Sequence, residues 1–412
     1  MPPGNDMRIL FLSQTSGLVG GTESYLRAIF DTYSSAHTFG LIHADTGLAN
    51  KLGILPSGSQ VDSISVSRLG ENKTTAWIRN WQPDVIVNNG LQKPRLIGQM
   101  VKLFPTLFFP HDYHSSCISG SKFTQRPLAE CHEKLSPLCL LRYYPSGCGG
   151  LNPLRMLRLY RRARGLQSIF PFYARLMVVS QRMVDEFVRE GFPPDKIDLL
   201  PYFPSGFKSL PEEPKLRPFS CRLLYFGRLV HLKGWQDAIT AIQLASKKYN
   251  IEIELHMAGT GPDLQKVREI ASHSKGKIQV HGNLLKLQSK ELLTQMDAVV
   301  VPSRWAEPFG KVGLEAASQG VPAIAYDIGG ISEWLKNNHT GLFIKSGVTN
   351  PEALAEKIGE LYSNHDAWQQ MRVNAWRFAI PLTIDNHMRS FFASVEKGMS
   401  DFKSRYPATQ TS

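Results

Sequence analysis

The chain has 412 residues, 42% hydrophobic and 20% charged, a length and composition that argue for two hydrophobic cores and exclude a disordered chain. Its formal charge of +12 points to anionic partners without choosing among phosphorylated ligands, membrane surface and nucleic acid, and the lack of any zinc-finger, RNP-type or helix-turn-helix signature sets nucleic acid aside. No stretch approaches the roughly 20 apolar residues of a bilayer span, so the expectation is a cytoplasmic protein.

Apolar runs of strand length alternate with longer amphipathic segments along the chain, the pattern of parallel sheets covered by helices. In the first half these are "RILFLS", "TFGLIH", "DVIVNN", "PTLFFPH" and "ARLMVVSQ"; in the second, "CRLLYFGR", "IELHMAG", "IQVHG", "DAVVVPS" and "PAIAYD". Between the two sets, residues 201–218 are rich in Pro, Ser and charge and read as a linker. The fold class expected is α/β, with two doubly wound, Rossmann-like domains. Ligands of such sheets bind beyond the carboxyl ends of the strands, so the residues just after each run are the candidates for chemistry.

After the first run, Gly20 and Gly21 open a helix. They could let backbone approach a phosphate or could serve sterics alone, because neither a GxGxxG nor a Walker lysine pattern is present. After the fourth, "FFPHDYHSSC" offers His111, with Asp112 to orient a hydroxyl or its own loop, and His114 as a weaker candidate. Cys117, Cys131, Cys139 and Cys148 crowd into an insertion-like stretch at about 114–165. Four close cysteines suit a structural zinc, yet their spacing lacks a CxxC knuckle, and reduced thiols in a lid are the other reading. Within it, "LRMLRLYRRARG" interleaves Arg155, Arg158, Arg161, Arg162 and Arg164 with leucines, which fits either an anionic bilayer or a solvated helix face.

In the second half, Arg228 and Lys233 follow a strand end, and cations there suit a diphosphate, Arg by a planar fork and Lys as a point charge. Gly259 and Gly261 mark the next strand end. In "AEPFGKVGLEAASQG", Phe309, Gly310, Lys311 and Val312 would offer N–H groups at a helix start, with Glu307 in the turn before it and Glu315 one turn inside. Carboxylates so placed accept from hydroxyl groups, which sugars and riboses present; a capping Glu307 and a solvated Glu315 are the plainer alternative. Near the end, Trp376, Phe378, Phe391 and Phe392 read as packing.

The segments "FGRLVHLKG", "AGTGP", "VPSRWAEPFGKVGLEAASQGVPAIAYDIGGISEWL" and "TGLFI" resemble the donor-binding half of retaining glycosyltransferases of family 4, group 1, which have the GT-B fold. The likeness covers residues 219–362 strongly and the first half more loosely, through "GGTE" and "PHDYH". It implies an acceptor-side domain over residues 1–200, a donor domain over 219–380 and a C-terminal helix within 381–412 that crosses back. By that resemblance Glu307 lies against the donor sugar, Glu315 holds the ribose, Arg228 and Lys233 bind the leaving diphosphate, and His111 lies by the donor sugar. It implies a UDP- or GDP-sugar as co-substrate, no required cofactor, and a carbohydrate or lipid-linked acceptor. No DxD pair follows a strand, since "YDIGG" holds the single Asp327, which accords with metal-independent transfer. A nucleotide-sugar epimerase or hydrolase, or a non-catalytic nucleotide-sugar-binding protein, are the competing functions for such a chain.

Overall fold

The computed structural model describes residues 6–17, 20–44, 53–55, 61–204, 212–284, 286–345 and 349–406. The central part of the expected linker, residues 205–211, lies outside them. The chain divides into two compact units: Met1–Lys122, His132–Pro201 and Ile384–Ser412 form unit 1, and Phe123–Cys131 with Tyr202–Thr383 form unit 2.

The strands run, in chain order, β1 Arg8–Ser13, β2 Thr38–His43, β3 Asp62–Ser65, β4 Val85–Asn88, β5 Thr106–Phe108, β6 Phe123–Gln125, β7 Leu128–Glu130, β8 Arg175–Val178, β9 Ile197–Leu199, β10 Arg222–Phe226, β11 Glu254–Ala258, β12 Ile278–Gly282, β13 Ala298–Val301, β14 Ala323–Tyr326 and β15 Gly341–Ile344. All ten apolar runs of the sequence appear among them. Strands β3 and β9 do not come from an apolar run: "DSIS" and "IDL" hold the two edges of their sheet and stay largely half-buried or exposed.

Unit 1 holds a seven-stranded sheet in the order β3-β2-β1-β4-β5-β8-β9, every pair parallel. Ile9 pairs with both Phe39 and Val85, so the chain reverses its winding direction between β1 and β4. That switch point directs the loops after β1 and β4 to one end of the sheet. Continuous apolar runs suit the centre of such a sheet, and Ile9 to Leu12 are fully buried. The helix Ile384–Arg405 belongs to this unit, with Phe391 0% and Phe392 2% exposed in its core. Trp376 and Phe378 are only half-buried, on the preceding helix His365–Ala379 of unit 2.

Unit 2 holds a six-stranded parallel sheet in the order β12-β11-β10-β13-β14-β15, with its own switch point between β10 and β13. Arg228 and Lys233 follow β10, and Glu307 follows β13, so the two adjacent strands at that point supply the cations and the carboxylate. The antiparallel hairpin β6–β7 also belongs to unit 2, although it lies within the cysteine-containing stretch. The rest of that stretch stays in unit 1. Lys122, 1% exposed, roots it there by pairing with Glu186 at 2.5 Å and Glu190 at 3.1 Å and by donating to the Glu133 carbonyl at 2.6 Å.

Candidate functional site

The turn after β10 explains why Lys233 reaches Glu307. Gly234 has φ +68°, and a Cβ at that position would stand 1.8 Å from the Pro302 carbonyl oxygen, so only glycine lets the turn press against the end of β13. Lys233 Nζ then donates to Glu307 Oε1, the same oxygen that accepts from Ser303 Oγ at 2.6 Å. The ammonium also lies 5.1 Å from the Trp305 ring centroid. Glu307 is 4% exposed, and a polar group so buried needs such hydrogen-bond partners. Glu307 is therefore an ion-paired acceptor at a strand end rather than a helix cap.

Arg228 is exposed, and its backbone carbonyl accepts from Tyr225 Oη at 2.9 Å. Burial, followed by the charges of Glu307 and Asp263, drives the Tyr225 hydroxyl far above its ordinary pKa, so it stays a neutral donor to that carbonyl. Among the described residues no carboxylate pairs with the Arg228 guanidinium.

Beneath the turn lies a network that the sequence reading did not single out. Arg304, 6% exposed, pairs with Asp237, whose other oxygen accepts from Tyr326 Oη at 2.9 Å. Arg304 Nη1 also lies 3.1 Å from the ring nitrogens of His231, and its backbone N–H donates to the Leu232 carbonyl at 2.9 Å. Burial and the neighbouring Arg304 both lower the His231 pKa, so the ring stays neutral near pH 7. The network holds residues 231 to 233 from below and thereby sets where Lys233 starts. One signal for it was legible: Arg304 immediately follows Ser303 at a strand end, and Asp237 lies in the first turn of the helix Trp235–Tyr249.

Gly310, at φ +83°, caps the short helix Lys311–Ala317, and Trp334 Nε1 donates to the Phe309 carbonyl at 2.6 Å. Lys311 Nζ lies 5.3 Å from the Tyr202 ring centroid. Val312 and Glu315 are half-buried on this helix. Packing requires glycine at position 259: φ is +136°, and a Cβ would stand 1.8 Å from the Gly227 carbonyl oxygen.

In unit 1, His111 follows β5 and its Nε2 lies 2.6 Å from Oδ1 of Asn89, a residue 1% exposed at the end of β4. Amide oxygens only accept, so Nε2 carries the proton. Asp112 binds its own loop, accepting from the His114 backbone at 2.9 Å and pairing with His114 Nδ1 at 2.8 Å. Gly20 precedes the helix Gly21–Tyr33 in extended backbone at φ −164°, and a Cβ there would meet nothing closer than Glu23 Oε2 at 3.5 Å. Neither backbone conformation nor packing demands glycine at position 20.

The four-cysteine zinc set is not assembled. Among the described residues no group of three or more His, Cys, Asp or Glu is arranged to hold a metal ion, and none of Cys117, Cys131, Cys139 and Cys148 is joined in a disulfide. Cys139 and Cys148 instead pack against an apolar cluster of Ile118, Leu135, Tyr143 and Ala163, while Cys131 belongs to the hairpin side in unit 2. Apolar packing of the stretch removes the need for a metal staple.

Residues 212–377 match the family described as glycosyl transferases group 1. D-inositol 3-phosphate glycosyltransferase of Paenarthrobacter aurescens is 27% identical over 51% of this chain and 54% of its own length. Glycogen synthase of Mycobacterium tuberculosis is 36% identical over 29% of each chain. The chain thus spans about half or less of the length of these curated relatives. Among solved structures, Anabaena Alr3699/HepE in complex with UDP-glucose has a TM-score of 0.65 at 19% identity, covering 97% of this chain and 100% of its own. The pneumococcal O-GlcNAc transferase GtfA in complex with UDP and GlcNAc has a TM-score of 0.69 at 13% identity, covering 96% and 99%. With two parallel-sheet units and solved neighbours of the same architecture, the chain has the GT-B fold, and its residues 212–377 resemble the glycosyl transferases group 1.

Proposed function

We propose that this protein is a retaining glycosyltransferase that moves a sugar from a UDP- or GDP-sugar to a hydroxyl of a carbohydrate or lipid-linked acceptor, in glycan, glycolipid or polysaccharide biosynthesis. The observation that carries this reading is the buried Glu307 carboxylate, held by Lys233 and Ser303 at the switch point of a parallel sheet, with Arg228 exposed on the neighbouring strand end. Two solved structures of the same fold, named as complexes with UDP-glucose and with UDP and GlcNAc, support a nucleotide-sugar donor.

When a sugar leaves a nucleoside diphosphate, negative charge grows on the diphosphate and positive charge on the anomeric carbon. Arg228 and Lys233 stabilise the first, and fixed cations need no reorganisation as the bond breaks. They supply the charge that a metal supplies elsewhere, so transfer proceeds without added metal. Glu307 faces the transferred sugar, Glu315 holds the ribose, and the amides of Phe309 to Val312 assist the sugar and phosphates. His111 keeps the place by the donor sugar that the family resemblance gives it, and Gly20 and Gly21 let the backbone approach a phosphate of the donor.

The test is incubation with a panel of nucleotide sugars, following release of free nucleotide with and without carbohydrate and lipid acceptors, and with and without chelator. Acceptor-dependent release that chelator leaves unchanged, with product retaining the donor's anomeric configuration by NMR, is the expected result. Acceptor-independent turnover would assign an epimerase or hydrolase instead. Binding with no turnover would assign a non-catalytic protein.

A further inference from the structure

The hairpin β6–β7 is the part of the cysteine-containing stretch that clusters with unit 2, and it brings a carboxylate to the turn after β14. Glu130 Oε1 accepts a hydrogen bond from the backbone N–H of Gly329 at 2.7 Å. That turn lies directly against the main chain of Glu307. The Gly330 N–H donates to the Glu307 carbonyl at 2.6 Å. Gly329 has φ +61°, and a Cβ there would stand 2.3 Å from the Glu307 carbonyl oxygen and 2.4 Å from its nitrogen. Contact this close means that movement of the turn moves Glu307.

Glu307 is thus held from two sides, its side chain by Lys233 and Ser303 and its main chain by the Gly329–Gly330 turn. Two successive glycines make a turn with little backbone stiffness of its own. The bond from Glu130 is charge-assisted and about twice as strong as a neutral one, and it falls on the first of those glycines. Phe123 at the start of the hairpin is 3% exposed, so the hairpin itself is packed rather than free.

We propose that Glu130 is a positioning residue for Glu307, clamping the Gly329–Gly330 turn so that the Glu307 carboxylate is fixed where the sugar reacts. This rests on the reading of Glu307 as the sugar-facing carboxylate of a transferase. Glu130 itself touches no reacting atom. Its influence passes through one amide and one turn, and displacement of a catalytic group by roughly 1 Å costs on the order of a hundred-fold in rate.

Two measurements on the whole 412-residue chain separate the clamp from the transferase reading. The first is hydrogen–deuterium exchange of the peptide spanning residues 327–333, which needs no substrate. Glu130→Ala should raise its exchange while the melting temperature stays near that of the unaltered protein, and Glu130→Gln, which keeps an acceptor oxygen, should restore most of the protection. Unchanged exchange in Glu130→Ala overturns the clamp whatever the enzyme does. The second is steady-state kinetics with the nucleotide sugar that the panel identifies. Glu130→Ala should lower kcat by about ten-fold with the nucleoside diphosphate affinity unchanged, and Glu130→Gln should recover most of the loss. Raised exchange with unaltered kcat leaves the contact merely structural and overturns the positioning role. A protein with no turnover on any nucleotide sugar overturns the transferase reading, and the exchange result then decides the clamp alone. Should Glu130→Ala be recovered unfolded, Glu130→Lys, which puts a donor opposite the Gly329 donor, carries the same expectations.

Discussion

Glu307 and Glu315 occupy one segment of sequence, yet their surroundings separate them. Glu307 is 4% exposed and tied to Lys233 and Ser303, whereas Glu315 is half-buried one turn inside a helix. If the first meets the sugar whose bonds change and the second a spectator ribose, their variants diverge in kind. Glu307→Gln should lower kcat strongly with little change in nucleotide affinity; Glu315→Gln should mainly raise the donor KM, because a uniform binding contact acts on ground and transition states alike. A hydrogen bond to a charged group contributes about 1.5–3 kcal/mol, so effects of roughly ten-fold to a hundred-fold are expected for each. Kinetics of both variants with calorimetric titration of the nucleoside diphosphate decide it, and near-normal turnover and binding in folded variants would dismiss this donor site. Those glutamates were legible because a strand, a Pro-Phe-Gly turn and a helix start lie in one short stretch. Of the Arg304, Asp237 and Tyr326 network only the strand-end arginine and the first-turn acid could be read, and their pairing could not, because its members are separated by 67 and 89 positions and meet only when helix and sheet pack together.

At the scale of elements, the helix Pro153–Gln167 sorts its arginines in a way that the pattern alone left open. Asn152 caps it, its side chain accepting from the Arg155 N–H at 3.0 Å, and Pro153 sits where a missing N–H costs nothing. Met156, Leu159, Tyr160 and Ala163 turn inward to the apolar cluster, while Leu154, Arg158 and Arg161 share the outer face at steps of four and three, with Arg155 and Arg164 exposed beside them. Arg162 is half-buried instead; burial lowers its pKa and nearby Asp112 raises it, so it does not belong to the outer set. Leu138, Leu141, Leu151 and Leu154 are 54%, 74%, 86% and 74% exposed in the same stretch, and leucines among arginines suit an anionic bilayer better than bulk water. Replacing Arg155, Arg158 and Arg161 by serine should therefore weaken binding to phosphatidylserine liposomes at low salt, at about 1 kcal/mol per charge. Sedimentation with liposomes checks it, and an unaltered protein that ignores them would leave this helix a solvated face. The strands were the more legible elements: ten apolar runs became ten strands because both faces of a parallel sheet are covered. Edge strands β3 and β9 need no such run, and the polar hairpin β6–β7 offers no period to read.

For the molecule as a whole, the division into units does not follow chain order. The last helix, Ile384–Arg405, belongs to unit 1, more than 180 residues after Pro201, and it fills a core that the first strand begins. Phe391 stacks on Phe11 at 6.2 Å, Phe392 lies 4.7 Å from His37, and Arg175 pairs with Asp401 at 3.1 Å. His387 Nδ1 donates to the Pro201 carbonyl at 2.8 Å, which leaves Nε2 to accept from Tyr25 Oη at 2.9 Å. Met388, Phe391, Phe392, Val395 and Phe402 are all buried, and a buried side chain of this kind contributes about 1.5–3 kcal/mol. Five of them together match the stability of a typical domain, about 5–15 kcal/mol, so unit 1 should not survive without the helix. Unit 2 loses none of its strands when the chain is ended at Thr383. A chain truncated there should show fast hydrogen exchange and early protease cleavage in β1, β4 and β5, while β10, β11 and β13 stay protected. If β1 and β4 keep their protection in the truncated chain, unit 1 folds on the strength of its sheet alone and the helix is an addition to its surface. If instead β10 and β13 lose theirs as well, the two units unfold as one cooperative body and the division has no thermodynamic meaning.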